Sequence, residues 1–389
     1  MKAAVLSLVA AAGLASPAFS QTLVPLNSFG TAGWRAPGVV LAGDAAGTAT
    51  GSTYNFLGTG NNERGMAYNP ATGNLILVSR NGGPNVRVLS GVTGVDTAGL
   101  NLGVGVITGG TFVVNKVGVS GDGAIYVANL TTDIRSSAYK VYRWDNEAAS
   151  PATHYNALSA FGAGGTAPRL GDSLDATGSG VSTKLAAGFA GIQGLVTITG
   201  NAGGTSQIYT GTVTPTPPAG ALGFTGVAAG EFRLGLTFAQ DDNNIWGKQT
   251  SSNIRRAALS GTGGASLGTS AITSAGESPM DYATIGGVAY LAAIDVNNSR
   301  VYVYDLTNPA APVSLFPFGL TTTTGTLTGN GNGTGDVKWG AIDNLNQTAT
   351  LYAMSSNQGI QAFTFTVPAP TSGGLLAMAG LLAARRRRR

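Results

Sequence analysis

One pattern recurs along this chain and restricts its fold more than any other feature. An apolar strand is followed by a turn, a second strand, a polar loop and a third strand. The first copy occupies residues 65–68, the turn 69–73, then 74–78 and 85–89. The second occupies 117–119, the turn 120–123, then 124–128 and 139–144. Further copies run over 234–256, 282–305 and 339–365, with a degenerate one around 191–214. A spacing of about 45 to 60 residues is that of propeller blades. The strands are rich in Val, Ile, Tyr and Phe, which suit a pleated sheet. The turns are rich in Gly, Asn and Asp, which tolerate positive φ or bond their own backbone. Small residues in each first strand suit an inner strand crowding a central channel. No long helical period appears.

The chain is therefore expected to be all-β, a β-propeller of six or seven blades over residues 21–366. Residues 21–60 supply either a seventh blade or one strand that closes the ring. The alternatives are a pair of β-sandwiches and, last, a β-helix, which needs a shorter repeat. Two stretches rich in Gly and Thr, 162–180 and 321–335, read as surface loops.

Composition agrees with a packed body. Hydrophobic residues make up 43% of the 389 and charged residues only 10%, against about 25% charged in an ordinary soluble domain. The absence of Cys excludes disulfides, Cys-based zinc sites and thiol nucleophiles. The single His, His154, excludes multi-His metal sites. No cofactor or metal is expected. The formal charge of +4 misleads. Without Lys2 and the five terminal arginines, the 22 basic residues fall to 16 against 18 acidic ones. A slightly acidic body argues against nucleic acid as a partner.

Residues 1–20 read as a cleavable secretory signal. Lys2 leads an apolar run over 3–15, Pro17 breaks it, and Ala18-Phe19-Ser20 offers small residues for cleavage before Gln21. The run is short for a membrane helix, the alternative reading. At the other end, over 367–389, Val367-Pro368-Ala369-Pro370 precedes a polar spacer and an apolar stretch over 373–384. Arg385, Arg386, Arg387, Arg388 and Arg389 close the chain. The arginines would be held on the cytoplasmic side. This end resembles the PEP-CTERM sorting signal of bacterial exosortase substrates, with Ala369 where that family has Glu. The resemblance implies processing by signal peptidase and an exosortase-like enzyme. It also implies transient contact of the tail with the inner membrane, then delivery to the cell surface or extracellular matrix. An ordinary tail anchor is the alternative. The body resembles an uncharacterised family of secreted bacterial β-propellers marked by a strand such as Arg64-Gly65-Met66-Ala67-Tyr68-Asn69-Pro70. That resemblance implies a fold and no chemistry.

Comparison of the copies yields one candidate site. A charged residue precedes the small residue of the first strand nearly every time: Arg64, Lys116, Arg233, Lys338, and Asp281 in one odd copy. Acids stand close by at Glu63, Glu231, Glu277 and Asp336. If the copies are blades, Glu63, Arg64, Lys116, Arg233, Asp281, Asp336 and Lys338 converge at one mouth of the channel. Converging polar groups in a concave site suit a polar or anionic ligand. The competing reading pairs them off as ion pairs at the rim. Asp241-Asp242-Asn243-Asn244 carries oxygen ligands but lacks the spacing of a calcium loop, and reads as a turn. His154 lies in a polar connector with no triad partners in its neighbourhood. Asn129-Leu130-Thr131 matches a glycosylation sequon only formally. There is no Gly-x-Ser-x-Gly elbow and no phosphate loop. The function expected is non-enzymatic binding or a structural role, with extracellular polysaccharide as a partner to test. The alternative is a hydrolase or lyase acting on that polysaccharide through carboxylates at the channel mouth.

Overall fold

In the computed structural model, which describes residues 20–46, 52–157, 161–249, 251–270, 276–319 and 334–368, the apolar runs of the repeat become strands buried on both faces. Two short strands come first, β1 (Thr22–Pro25) and β2 (Trp34–Arg35). Four-stranded antiparallel meanders follow. The first is β3 (Glu63–Asn69), β4 (Asn74–Ser79), β5 (Asn85–Ser90) and β6 (Asp96–Gly99). The second is β7 (Phe112–Val119), β8 (Ile125–Leu130), β9 (Tyr139–Trp144) and β10 (Ala152–Ala157). Next come β11 (Asp175–Thr177), β12 (Lys184–Gly188), β13 (Leu195–Thr199) and β14 (Thr205–Thr210). A short β15 (Leu222–Thr225) pairs in parallel with β14 on one side. On its other side it pairs in parallel with the last strand of the following meander. That meander is β16 (Gly235–Phe238), β17 (Asn244–Lys248), β18 (Ile254–Ser260) and β19 (Gly263–Ser270). The two meanders thus share one nine-stranded sheet. Then come β20 (Glu277–Ile285), β21 (Val288–Asp295), β22 (Arg300–Asp305) and β23 (Val313–Gly319). The last sheet holds β24 (Gly335–Asp343), β25 (Thr348–Ser355) and β26 (Gly359–Thr366).

The outer edge of that last sheet is completed by β1, which pairs antiparallel with β26 from Thr22↔Thr366 to Pro25↔Phe363. Of the two roles expected for residues 21–60, this pairing is the second, a closing strand. The first strands lie beside one another in a closed order: β3 contacts β7, then β11, β16, β20 and β24 follow in turn, and β24 contacts β3. The fold is all-β and propeller-like.

Two-sided burial explains why the strands read as apolar runs. Along β4, Ile76 and Val78 point to a cluster shared with β7 to β9, while Leu75 and Leu77 point to a cluster shared with β25 and β26. Alternate side chains of one strand thus serve two cores. Equivalent clusters lie between every pair of neighbouring meanders. The small residues of the first strands have a steric cause. A Cβ at Gly65 would stand 3.0 Å from the Lys116 Cα, and one at Gly118 would stand 2.8 Å from the Ala176 Cβ. Bulk there would push adjacent meanders apart.

Several expectations need correction. Apart from the closing strand β1, the fourth strands β6, β10, β19 and β23 were not revealed by the repeat. The degenerate copy begins at Asp175, ahead of 191. The stretch 162–180 is not simply a surface loop, since Leu170, Asp172, Ser173, Leu174 and Asp175 are buried. The signal over 1–20 lies outside the described residues except for Ser20. Ala369, Pro370 and Arg385 to Arg389 also lie outside them, whereas Val367 is packed into the core and its N–H bonds the Gln347 carbonyl at 2.9 Å. Among the described residues no helix is long and apolar enough to cross a membrane.

Candidate functional site

The adjacent first strands bring charged side chains from separate meanders into one axial space, where they form two layers. The inner layer is a chain of ion pairs. The Lys338 Nζ lies 3.2 Å from both Asp175 Oδ1 and Asp281 Oδ1. The second oxygen of each aspartate accepts a backbone N–H from the next meander: Asp175 from Phe238 at 2.8 Å, Asp281 from Trp339 at 2.7 Å. Asp336 repeats the device, with Oδ2 accepting the Met66 N–H at 3.1 Å while lying 3.5 Å from the Lys116 Nζ. Lys116 also donates to the Gly335 carbonyl at 2.8 Å. Burial alone would push the Lys338 ammonium down, but Asp281 and Asp175 outweigh it and raise it. Burial pushes the Asp281 carboxyl up to about 7, with the Lys338 charge opposing and Asp175 reinforcing the shift. Burial lowers Lys116, which has only Asp336 as a close counter-charge.

The outer layer is cationic. A cavity of about 560 Å³ is lined by Arg64, Arg80, Lys116, Arg169 and Arg233 against a single carboxylate, Asp172. Asp172 accepts two hydrogen bonds from Arg169, both at 2.6 Å, and one from Arg233 Nε at 2.8 Å. Burial raises its carboxyl, but Arg169 and Arg233 hold it below the usual range. Arg64 donates to Asn115 Oδ1 at 3.2 Å and to Thr334 Oγ1 at 2.7 Å. Arg80 stacks on the Phe112 ring with its Cζ 3.7 Å from the centroid, and its buried Nη1 has no hydrogen-bond partner. Desolvation lowers the Arg64 guanidinium to about 10 and, with Arg64 itself as a neighbour, the Arg80 guanidinium to about 9. Arginine stays charged in proteins, so the shifts register how crowded and poorly compensated these cations are.

A second cavity, of about 460 Å³, is lined by residues further along the same strands. Tyr68, Tyr282 and Trp339 stand in its wall with Asp175, Asp281 and Lys338. The seven residues expected at one mouth are therefore distributed. Arg64, Lys116 and Arg233 line the cationic cavity, Asp281 and Lys338 line the other, and Asp336 lines neither but pairs with Lys116. Glu63 lies outside both. It is 1% exposed and accepts the Gly58 N–H at 2.7 Å, and burial pushes it up to about 7. Arg64, Lys116, Asp281 and Lys338 lie within their first strands, as the second residue of β3, the fifth of β7, the fifth of β20 and the fourth of β24, while Arg233 stands just ahead of β16. Glu231 is held by Arg255 at 2.7 Å, and Glu277 is buried beside Lys248 and Asp295.

Sequence reasoning missed Arg80, Arg169, Asp172 and Asp175. The available signal was three charges, Arg169, Asp172 and Asp175, in the otherwise uncharged stretch 162–180. His154 is no connector residue. It sits in β10, 3% exposed, edge-on to Tyr126 at 5.1 Å, and burial pushes its imidazole down to about 4. Asp241 Oδ1 accepts the Asn243 and Asn244 N–H groups, which makes that motif a turn. Among the described residues no group of three or more His, Asp or Glu could hold a metal ion. Asn129 is fully buried and bonded to the Ala138 carbonyl and the Lys140 N–H, closed to glycosylation in the folded state.

No known family model matches the chain, and no curated protein matches it. Among solved structures it is similar to a DUF4623 family protein from Bacteroides eggerthii, at 16% identity and a TM-score of 0.59, covering 80% of this chain and 72% of that one. It is also similar to the major allergen Mala s 1 of Malassezia sympodialis, at 11% identity and a TM-score of 0.46, over 77% and 91% of the two chains. A gluconolactonase from Xanthomonas campestris matches at 12% identity and a TM-score of 0.44, over 90% and 98%. At such identities the Bacteroides likeness speaks to the fold alone, and the two weaker ones carry no argument.

Proposed function

We propose that this chain is an exported, surface- or matrix-located protein whose six-bladed propeller body binds a ligand without turning it over. The blade count is supported by the closed order of first strands and by the cores between neighbouring meanders. Export and exosortase-like sorting are supported by the sequence of the two ends. One observation carries the preference for binding. Asp281 and Asp336, on which a polysaccharide hydrolase or lyase would depend, are already engaged by a lysine and by a backbone N–H of the next meander. A general acid or base must reach the proton it transfers, and these oxygens are spent on holding the ring together.

The test is to present the purified body to neutral and acidic polysaccharides and to esters, measuring both retention and release of products. Retention without cleavage is expected. Cleavage that Asp281→Asn abolishes would reverse the assignment to the hydrolase or lyase class. Mass analysis of the chain recovered from outside the inner membrane tests the route, with a start at Gln21 and loss of the arginine run expected.

A further inference from the structure

The cationic cavity has more positive charge than the protein itself neutralises. Four guanidinium groups share one carboxylate, because Asp336 is committed to Lys116. Asp172 is engaged by Arg169 and Arg233 through three hydrogen bonds. That leaves Arg64, bonded only to neutral partners, and Arg80, which lines the cavity with no ion pair among the described residues. Guanidinium forks match the planar oxygens of a carboxylate and hold them bidentately. A volume of about 560 Å³ falls in the range of roughly 300–1,000 Å³ for small-molecule sites. The wall offers more than charge. Phe112 stands in it 45% exposed, an apolar ring beside the cations, and Asn61 and Asn62 add amides able to bond hydroxyl groups.

From these features we infer that the cavity formed by Arg64, Arg80, Arg169 and Arg233 binds a uronic acid residue of an acidic polysaccharide. The carboxylate sits against Arg80 and Arg64, the hydroxyls meet the asparagine amides, and the C–H face of the sugar lies by Phe112. The inference rests on the binding reading above and names the ligand class of that site. Arg169 and Arg233, fixed by Asp172, are positioning residues that set the field. Arg80 stacks on Phe112 and has no carboxylate of the protein to neutralise it, which leaves its charge to the ligand.

Calorimetric titration of the folded body with trigalacturonate, a neutral galactose trisaccharide and inorganic sulfate tests the inference. Trigalacturonate is expected to bind, more weakly as salt rises, while the neutral sugar does not. Arg80→Met should weaken binding by about tenfold or more, the worth of one charge-assisted hydrogen bond, with the melting temperature unchanged or raised. Arg80→Lys, which keeps the charge and loses the fork, should fall between the two. Arg233→Gln repeats the test from another meander should Arg80→Met fail to fold. Sulfate binding as tightly as trigalacturonate would overturn the sugar assignment. Trigalacturonate binding unaffected by Arg80→Met would overturn the site and leave the binding reading standing. Absence of binding to any polysaccharide, acidic or neutral, would remove both.

Discussion

Lys338 lies between two carboxylates, and this arrangement governs how the centre of the molecule responds to change. Breaking a buried ion pair by deleting one partner costs about 3–5 kcal/mol, because the other charge is left uncompensated. Lys338→Met is therefore expected to lower unfolding stability by that amount in urea titration, and adding Asp281→Asn to it should restore part of the loss. Glu63 provides a pH test. Its carboxyl is raised to about 7 by burial, so the folded state favours the protonated form. Its contribution is fully present below its unfolded value near 4.5 and is lost as pH rises through 7. Glu63→Gln should match the parent near the acidic end of that window and exceed it by roughly 3 kcal/mol on the alkaline side, as thermal melts across the window would reveal. Arg64, Lys116 and Arg233 were legible because they recur at one place in the repeat. Arg80 was not, because it lies in the polar loop of the first copy, where the repeat carries no apolar or charge pattern, and Asp172 was not, because it lies between the copies.

The strands divide by burial, and that division decided what could be read from sequence. Second strands such as β4 and β8 are almost wholly buried and announce themselves as apolar runs, and third strands such as β5 and β9 announce themselves by alternation. The fourth strands β6 and β19 are largely exposed and rich in Gly, Ser and Thr, and give little signal. Closure by β1 was one of two readings and not the more specific one, because four residues with only Leu23 buried carry almost no pattern. Yet β1 covers the edge of β26, and Leu23 joins the core with Phe363 and Phe365. A chain starting at Leu26 should lose at least about 2 kcal/mol from the missing Leu23 contacts. Its exposed edge should promote self-association. Melting temperature and light scattering would report the two effects, and an unchanged monomer would show that β1 is dispensable.

Across the whole molecule the arrangement is circular: each meander shares a core with two neighbours, and aspartates tie one first strand to the next at Phe238, Trp339 and Met66. The repeat made this architecture legible, since its period and small first-strand residues both follow from meanders packed round an axis. The division of the axial charges into a paired inner layer and a cationic outer one was not legible. It depends on how deep each residue sits in its strand and on segments that carry no repeat. A net charge close to neutral over the body also concealed a cavity with five cations and one carboxylate. We propose that these cations, drawn from several meanders, meet to hold a ligand. A crystal structure of the body grown with trigalacturonate tests it most directly. A sugar carboxylate within hydrogen-bond distance of Arg80 and Arg64 is expected. Sugar bound elsewhere on the body, with this cavity holding only solvent, would contradict it.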